Sequence, residues 1–263
     1  MKTSFTRIAI AALALLAAAA SSSVQAQATI NQNKALAGNV TPGDAPGFPI
    51  TLSVPGSYKL TGNLVVPMFL TGVVVTATGV TLDLNGFSIS GPGTCTRDTN
   101  TASVTCSGNG GSEGVDFKSV GNTLRNGIIR GFHHGVLFSG ADQIENMLVE
   151  QNAGTGVIAT NNRGARTLVL TVRSQLNGGD GFNLSDSMVQ GSTAGSNGRH
   201  GFAVMNTVLL DSVSMNNSKI GFNNFTGSKS AMPIGRSVGN FNNGGNFAAP
   251  RSLGGNLDDI TLF

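Results

Sequence analysis

The sequence predicts an all-β chain wound into a single parallel β-helix of about eight coils. Three observations carry this. First, an Asn is followed four residues later by Gly and then a large apolar residue, at Asn152/Gly156/Val157, Asn177/Gly181/Phe182, Asn197/Gly201/Phe202 and Asn217/Gly221/Phe222. These glycines are separated by 25, 20 and 20 residues, a period that marks a solenoid. Second, apolar residues alternate after each Gly, with Val115, Val136, Val157, Phe182, Phe202, Phe222 and Phe247 one place on, and Phe117, Phe138, Ala159, Leu184 and Val204 two places further. Period-two alternation in short runs is a strand signal, and no segment sustains a 3.6-residue apolar period through the Gly-Asn clusters. Third, 40% of residues are apolar, 11% are charged and 37 are Gly. That balance suits many short strands joined by tight turns.

The elements follow in chain order. Lys2 and Arg7, the apolar run Ile8 to Ala20, and Ser21 to Ala26 read as a secretory signal peptide over 1–26. The apolar run is shorter than the ~20 residues that span a bilayer, and no later stretch is a transmembrane candidate. The expected address is therefore export, to the periplasm or beyond the cell. Residues 27–56, with Pro42, Pro46, Pro49 and Pro55, read as an irregular cap over the first coil. The helix itself is expected over 57–247. Val80, Leu82 and Leu84 alternate with Thr81 and Asp83 ahead of an Asn85-Gly86 turn. A polar insertion over 91–113 holds both cysteines, and 248–263 forms a C-terminal tail. In an exported chain, Cys95 and Cys106 read as a disulfide that closes a loop of about a dozen residues, for roughly 3 kcal/mol.

Charge excludes one class of partner. The chain has 16 Lys+Arg and 13 Asp+Glu; Lys2 and Arg7 leave with the signal, so 14 face 13. A nucleic-acid binder needs clustered cations in large excess.

The Asn–Gly–Phe coils, Gly56-Ser57-Tyr58-Lys59-Leu60-Thr61-Gly62 and Val80-Thr81-Leu82-Asp83-Leu84-Asn85-Gly86-Phe87 resemble secreted bacterial right-handed parallel β-helix proteins of the pectate-lyase-like superfamily. The resemblance covers about residues 56–247 and implies the fold. It matches no characterised enzyme closely, because pectate lyases, polygalacturonases, alginate epimerases, tailspikes and non-enzymatic surface proteins share this architecture. Polygalacturonase-like sites in that superfamily use Asn-Thr-Asp and Arg-Ile-Lys elements, which this sequence lacks; its sole Asp-Asp is Asp258-Asp259. A lyase-like site implies several acidic calcium ligands, and Asp142, Glu145 and Glu150 are the densest acidic group, without ligand spacing.

Aligning the repeats exposes one chemical cluster. The residue before the repeat Gly is His134, Thr155, Asp180, His200 and Ile220 in consecutive coils, and one place earlier stand His133, Gly154, Gly179, Arg199 and Lys219. Asp180 and His200 are thus expected as axial neighbours and candidate catalytic residues, the carboxylate orienting the imidazole and raising its basicity. Arg199, Lys219, His133 and His134 are the candidate binders of an acidic sugar. A surface ion pair is the competing account of the same residues. His133, His134 and His200 make no metal site, since three coils at the strand spacing separate His200 from the others by about 14 Å. The sequence itself calls for no cofactor and leaves open whether one is bound. The function expected is binding or modifying a polysaccharide, as a lyase, epimerase or glycoside hydrolase if an enzyme; the alternative is a non-catalytic surface or adhesion protein. The lack of Trp and a single Tyr, Tyr58, count against sugar platforms.

Overall fold

The computed structural model describes residues 27–108, 111–159, 166–225, 232–248, 250–259 and 261–262. The expected signal segment lies outside the described residues. The chain is a parallel β-helix. One nine-stranded sheet runs from Ile50–Leu52 through Val73–Val75, Glu113–Phe117, His134–Phe138, Val157–Ala159, Phe182–Ser185, Phe202–Met205 and Phe222–Asn224 to Phe247–Ala248. Nine strands on this face make nine turns, close to the eight or so expected from the repeats.

The 20-residue coil from Phe182 to Gly201 shows how a turn is built. Phe182–Ser185 forms the first face, Ser187–Gln190 the second and Thr193–Gly195 the third. Asp186, Gly191 and Ser196, at φ 49°, 62° and 55°, turn the three corners. A single left-handed residue redirects a strand sharply, so each corner needs little chain. Register repeats without slippage: Phe182 pairs Phe202 and Phe202 pairs Phe222.

That register stacks like on like in the core. The rings of Phe182, Phe202, Phe222 and Phe247 lie 4.6, 5.0 and 5.0 Å apart, with interplanar angles of 2°, 3° and 10°. The first three rings are fully buried. Stacking at the strand spacing removes their faces from water while adding direct ring contact.

Beside the rings runs an amide ladder. The side-chain oxygens of Asn177, Asn197, Asn217 and Asn242 each accept from both the backbone N–H and the side-chain amide of the Asn one coil earlier, and Asn152 starts the ladder by accepting the Phe132 N–H. The second amide hydrogen goes to a backbone carbonyl, Ser174 O for Asn197 and Ala194 O for Asn217. Each rung is thereby satisfied inside the protein, as burial demands. Asn246, which stands where the repeat predicts Gly, is the last rung and accepts from Asn242. The left-handed conformation does not belong to these Asn residues. It falls one place earlier, on Gln151, Leu176, Ser196, Asn216 and Phe241, which frees the Asn side chains to point inward and bond.

A second ladder of polar side chains caps the backbone at another corner, where Asn122 accepts from Val80 N–H and Asp142 from Asn122 N–H. Asp142 is 2% exposed, and its other oxygen accepts from Gly140 N–H. Burial pushes its carboxyl up to about 6, against the backbone N–H groups that hold it down. The folded state then binds this proton more tightly than the unfolded chain. Its contribution to stability is greatest below the unfolded value near 4 and is lost as pH rises through about 6. Asp142→Asn is expected to abolish roughly 2–3 kcal/mol of that pH dependence. Urea melts of parent and variant at pH 4 and pH 7 measure it; parallel changes in both would refute it.

The ends and the insertion are ordered by side chains as well. The 27–56 segment holds a strand, Ala28–Ile30, and a short helix, Gln32–Ala37, that sequence reading leaves as irregular. The Gln32 amide bonds both Val65 N–H and Val65 C=O, while Asp44 and Thr41 occupy Thr51 N–H and C=O. Open edges of the first strands are covered in this way. Within 91–113, Thr94–Arg97 and Val104–Ser107 pair as an antiparallel hairpin with Cys95 bonded to Cys106. The hairpin does not bulge freely. Both sulfurs rest against Asn152 O at 3.6 and 3.8 Å, and the Ser218 hydroxyl donates to Ala102 O near its tip. It is a strap laid along four coils. Gly178 is required beneath it, since a Cβ there would stand 3.0 Å from Cys106 Sγ and 2.2 Å from Ala153 O.

Candidate functional site

The turns joining the third face to the first stack into one edge along the solenoid. Read coil by coil, their last two residues before the repeat Gly are Leu70-Thr71, Ser112-Glu113, His133-His134, Gly154-Thr155, Gly179-Asp180, Arg199-His200 and Lys219-Ile220. The strap flanks this edge on one side, against Asn152, Gly178 and Ser218. The first face flanks it on the other. Because each turn repeats at the strand spacing, side chains at equivalent positions lie about 5 Å apart.

Asp180 and His200 are brought together, in a different relation from the one expected. Asp180 Oδ1 accepts the backbone N–H of His200 at 2.9 Å, and the carboxylate is 1% exposed. Arg199 Nη1 approaches Asp180 Oδ2 at 3.8 Å while the Arg199 side chain stays 52% exposed. The His200 ring accepts the Ile220 N–H at Nδ1, 3.2 Å away. A ring nitrogen that accepts carries no proton, so the neutral imidazole holds its hydrogen on Nε2. Burial pushes the His200 imidazole below its ordinary range, Asp180 opposes this, and Arg199 and Lys219 add to it. The carboxylate therefore neither orients this ring through a side-chain bond nor leaves it more basic than usual.

His134 repeats the arrangement three coils earlier. Its Nδ1 accepts the Thr155 N–H at 3.0 Å, and burial, then the neighbouring His133, lowers its basicity. The two imidazoles meet edge-on with centroids 4.2 Å apart, His133 exposed and His134 half-buried. Both half-buried histidines thus present an Nε2–H donor beside the exposed Arg199, Lys219 and His133. Between these groups the column carries no side chain at Gly154, which is half-buried, or at Gly179, which is buried. A Cβ on Gly154 would meet the His134 ring at 2.6 Å.

Two members of the column escape the Asn–Gly repeat. Glu113 pairs in register with His134, and Thr71 donates to Glu113 Oε2 at 3.2 Å. Glu113 stands 21 residues before His134, so the step from Gly114 to Gly135 could have placed it in the column; Thr71 lies upstream of the strap insertion, beyond that step. The acidic group at Asp142, Glu145 and Glu150 is not a cluster. Asp142 caps backbone, Glu145 lies 3.9 Å from Arg125, and Glu150 accepts from Gln175. Among the described residues, no group of three or more His, Cys, Asp or Glu is placed to hold a metal. On the first face, Asp116 is 4% exposed with Lys118 Nζ 2.5 Å from Oδ2.

What fold and edge define together is a parallel β-helix with a cationic, donor-rich turn stack. No family model matches the chain, and no curated protein matches it. Among solved structures, the periplasmic alginate epimerase AlgG shares 16% identity over 78% of this chain and 68% of its own, with a TM-score of 0.31. A mutant of that epimerase gives 16%, 79%, 69% and 0.33. Likeness at this level carries no argument about activity. Among the described residues no helix is long and apolar enough to cross a membrane.

Proposed function

We propose that the turn stack binds an acidic polysaccharide, and that the protein acts after export as a binding rather than a transforming β-helix. The observation that carries this is the pair Arg199 and Lys219, exposed on consecutive coils of the same turn stack. Carboxylates spaced along a polymer complement cations spaced along a solenoid. Binding fits better than proton abstraction because both groups a base would need are committed. The Asp180 carboxylate is buried on a backbone N–H, and His200 Nε2 bears the ring's proton. The histidines then serve as hydrogen-bond donors to ligand oxygens.

Calorimetric titration with oligouronides and with neutral oligosaccharides of equal length tests this. The parent is expected to prefer the acidic series, with affinity falling as salt rises. The Arg199→Ala/Lys219→Ala variant is expected to bind about 10-fold more weakly or worse. Equal binding of neutral chains, or an unaffected double variant, would reject the assignment; unsaturated or epimerised products would reject the non-catalytic part of it. A second reading, a structural protein whose coils only present loops, draws on the same backbone bonds of Asp180 and His200. It predicts no response to any glycan.

A further inference from the structure

The two most exposed large apolar side chains among the described residues are Phe69 and Phe241, at 72% and 73%. Both stand in the same turn stack, Phe69 in the turn that leads to Val73–Val75 and Phe241 in the turn that leads to Phe247–Ala248. They therefore bracket the edge from its first turn to its last. Seven strand spacings, about 34 Å, separate the two turns.

Neither position is explained by stability. Phe69 and Phe241 have φ of 67° and 50°, a conformation unfavourable for a bulky L-residue. At the corner that holds Phe241, the preceding coils place Gln151, Leu176, Ser196 and Asn216, so the corner imposes no need for an aromatic. The Phe69 turn contains one residue more than the Ser196–His200 turn of the regular coil, and Met68 and Leu70 beside it are also exposed. The left-handed conformation is shared by every coil at the Phe241 corner, so it is the exposure of two large ring faces that points to a ligand.

We propose that Phe69 and Phe241 are the terminal stacking platforms of a single extended site, and that its ligand is a linear uronic-acid polymer lying parallel to the solenoid axis. This rests on the binding function proposed above and adds its direction and length. The middle of the edge supplies cations and donors at Arg199, Lys219, His200 and His133, which engage carboxylates and hydroxyls. The two phenylalanines supply flat apolar faces against which the C–H face of a sugar ring packs. They stand in for Trp, which the chain lacks, and for Tyr, whose single instance, Tyr58, is buried. A polymer rather than a small molecule follows from the layout, since no compact ligand touches both rings and the cations between them.

The test is a length series of oligouronides, from disaccharide to a chain that outspans the edge, titrated against the parent, Phe69→Ser, Phe241→Ser and both together. The parent's affinity is expected to rise with chain length until the edge is filled. Either single variant is expected to lose about 5-fold or more for the longest chain while binding the disaccharide as the parent does. Disaccharide binding that depends on Arg199 and Lys219, with no gain from length and no effect of either Phe, would overturn the extended site and leave the binding function intact. Absence of oligouronide binding by the parent would overturn both. Sedimentation of the same four proteins covers the remaining occupant: self-association lost with Phe69 or Phe241, at unchanged long-chain affinity, would assign the rings to a second copy and reject the proposal. Both side chains are exposed, so the variants are expected to melt with the parent.

Discussion

Asn197→Ala is expected to lower stability by about 3–5 kcal/mol, and to convert a single cooperative melt into one that begins at the coils around it. The Asn197 side chain accepts from Asn177 N–H and from the Asn177 amide, and it donates to Ser174 O and Asn217 Oδ1. All of these groups are buried. Truncation removes one side chain and strands two donors and one acceptor on the Asn177 coil, and takes a donor from Asn217 Oδ1 on the next. Each buried polar group left unpaired costs about 1–3 kcal/mol, which is why the effect exceeds that of a typical surface amide. Asn197→Asp is also expected to destabilise, because it keeps both acceptors, loses both donors and buries a charge beside Asn217 Oδ1. Denaturant melts of both variants measure this. A change below 1 kcal/mol for Asn197→Ala would show that the ladder is ornament to the sheets.

Phe202→Ala is expected to cost a similar amount, about 3–5 kcal/mol, by a different mechanism. Phe202 touches a ring on each side, at 4.6 Å to Phe182 and 5.0 Å to Phe222, so its removal opens a cavity walled by two aromatic faces. The strands above and below are fixed by parallel register, and the rings cannot collapse into the gap without breaking it. Phe202→Leu refills most of the volume and is expected to recover more than half of the loss. Because solenoid coils support only their neighbours, both substitutions are expected to raise amide exchange near residues 177–222 before it rises in the N-terminal coils. Uniform exchange throughout the chain would contradict that locality.

How far the sequence discloses this molecule depends on period. Wherever the coil keeps 20 residues, equivalent positions become neighbours, and the Phe column, the Asn column and the Asp180–His200 contact were all legible. Departures from period hid the rest. Asn246 is a rung of the ladder only because it closes on Asn242 within one turn. Thr71 lies on the far side of an insertion from the repeats, and the docking of Cys95–Cys106 across Asn152 to Ser218 is a long-range contact that no local pattern announces. The chemistry of the edge was legible in residue type and not in bonding. Adjacency of Asp180 and His200 could be read from spacing, but a carboxylate one coil away could bond the ring or the backbone. Which one it bonds is set by the direction of the turn. That choice changes the reading from a proton-transfer pair to a brace that holds Arg199 and His200 in place.

The turn stack itself is best tested by amide chemical-shift mapping of the labelled protein titrated with a long oligouronide. Perturbations are expected along one edge only, at Gly154, Gly179, Arg199, His200 and Lys219, reaching Phe69 and Phe241 as the oligouronide lengthens. Perturbations centred instead on the outer side of the first face, at Asp116, Asn183 and Asn223, would contradict it.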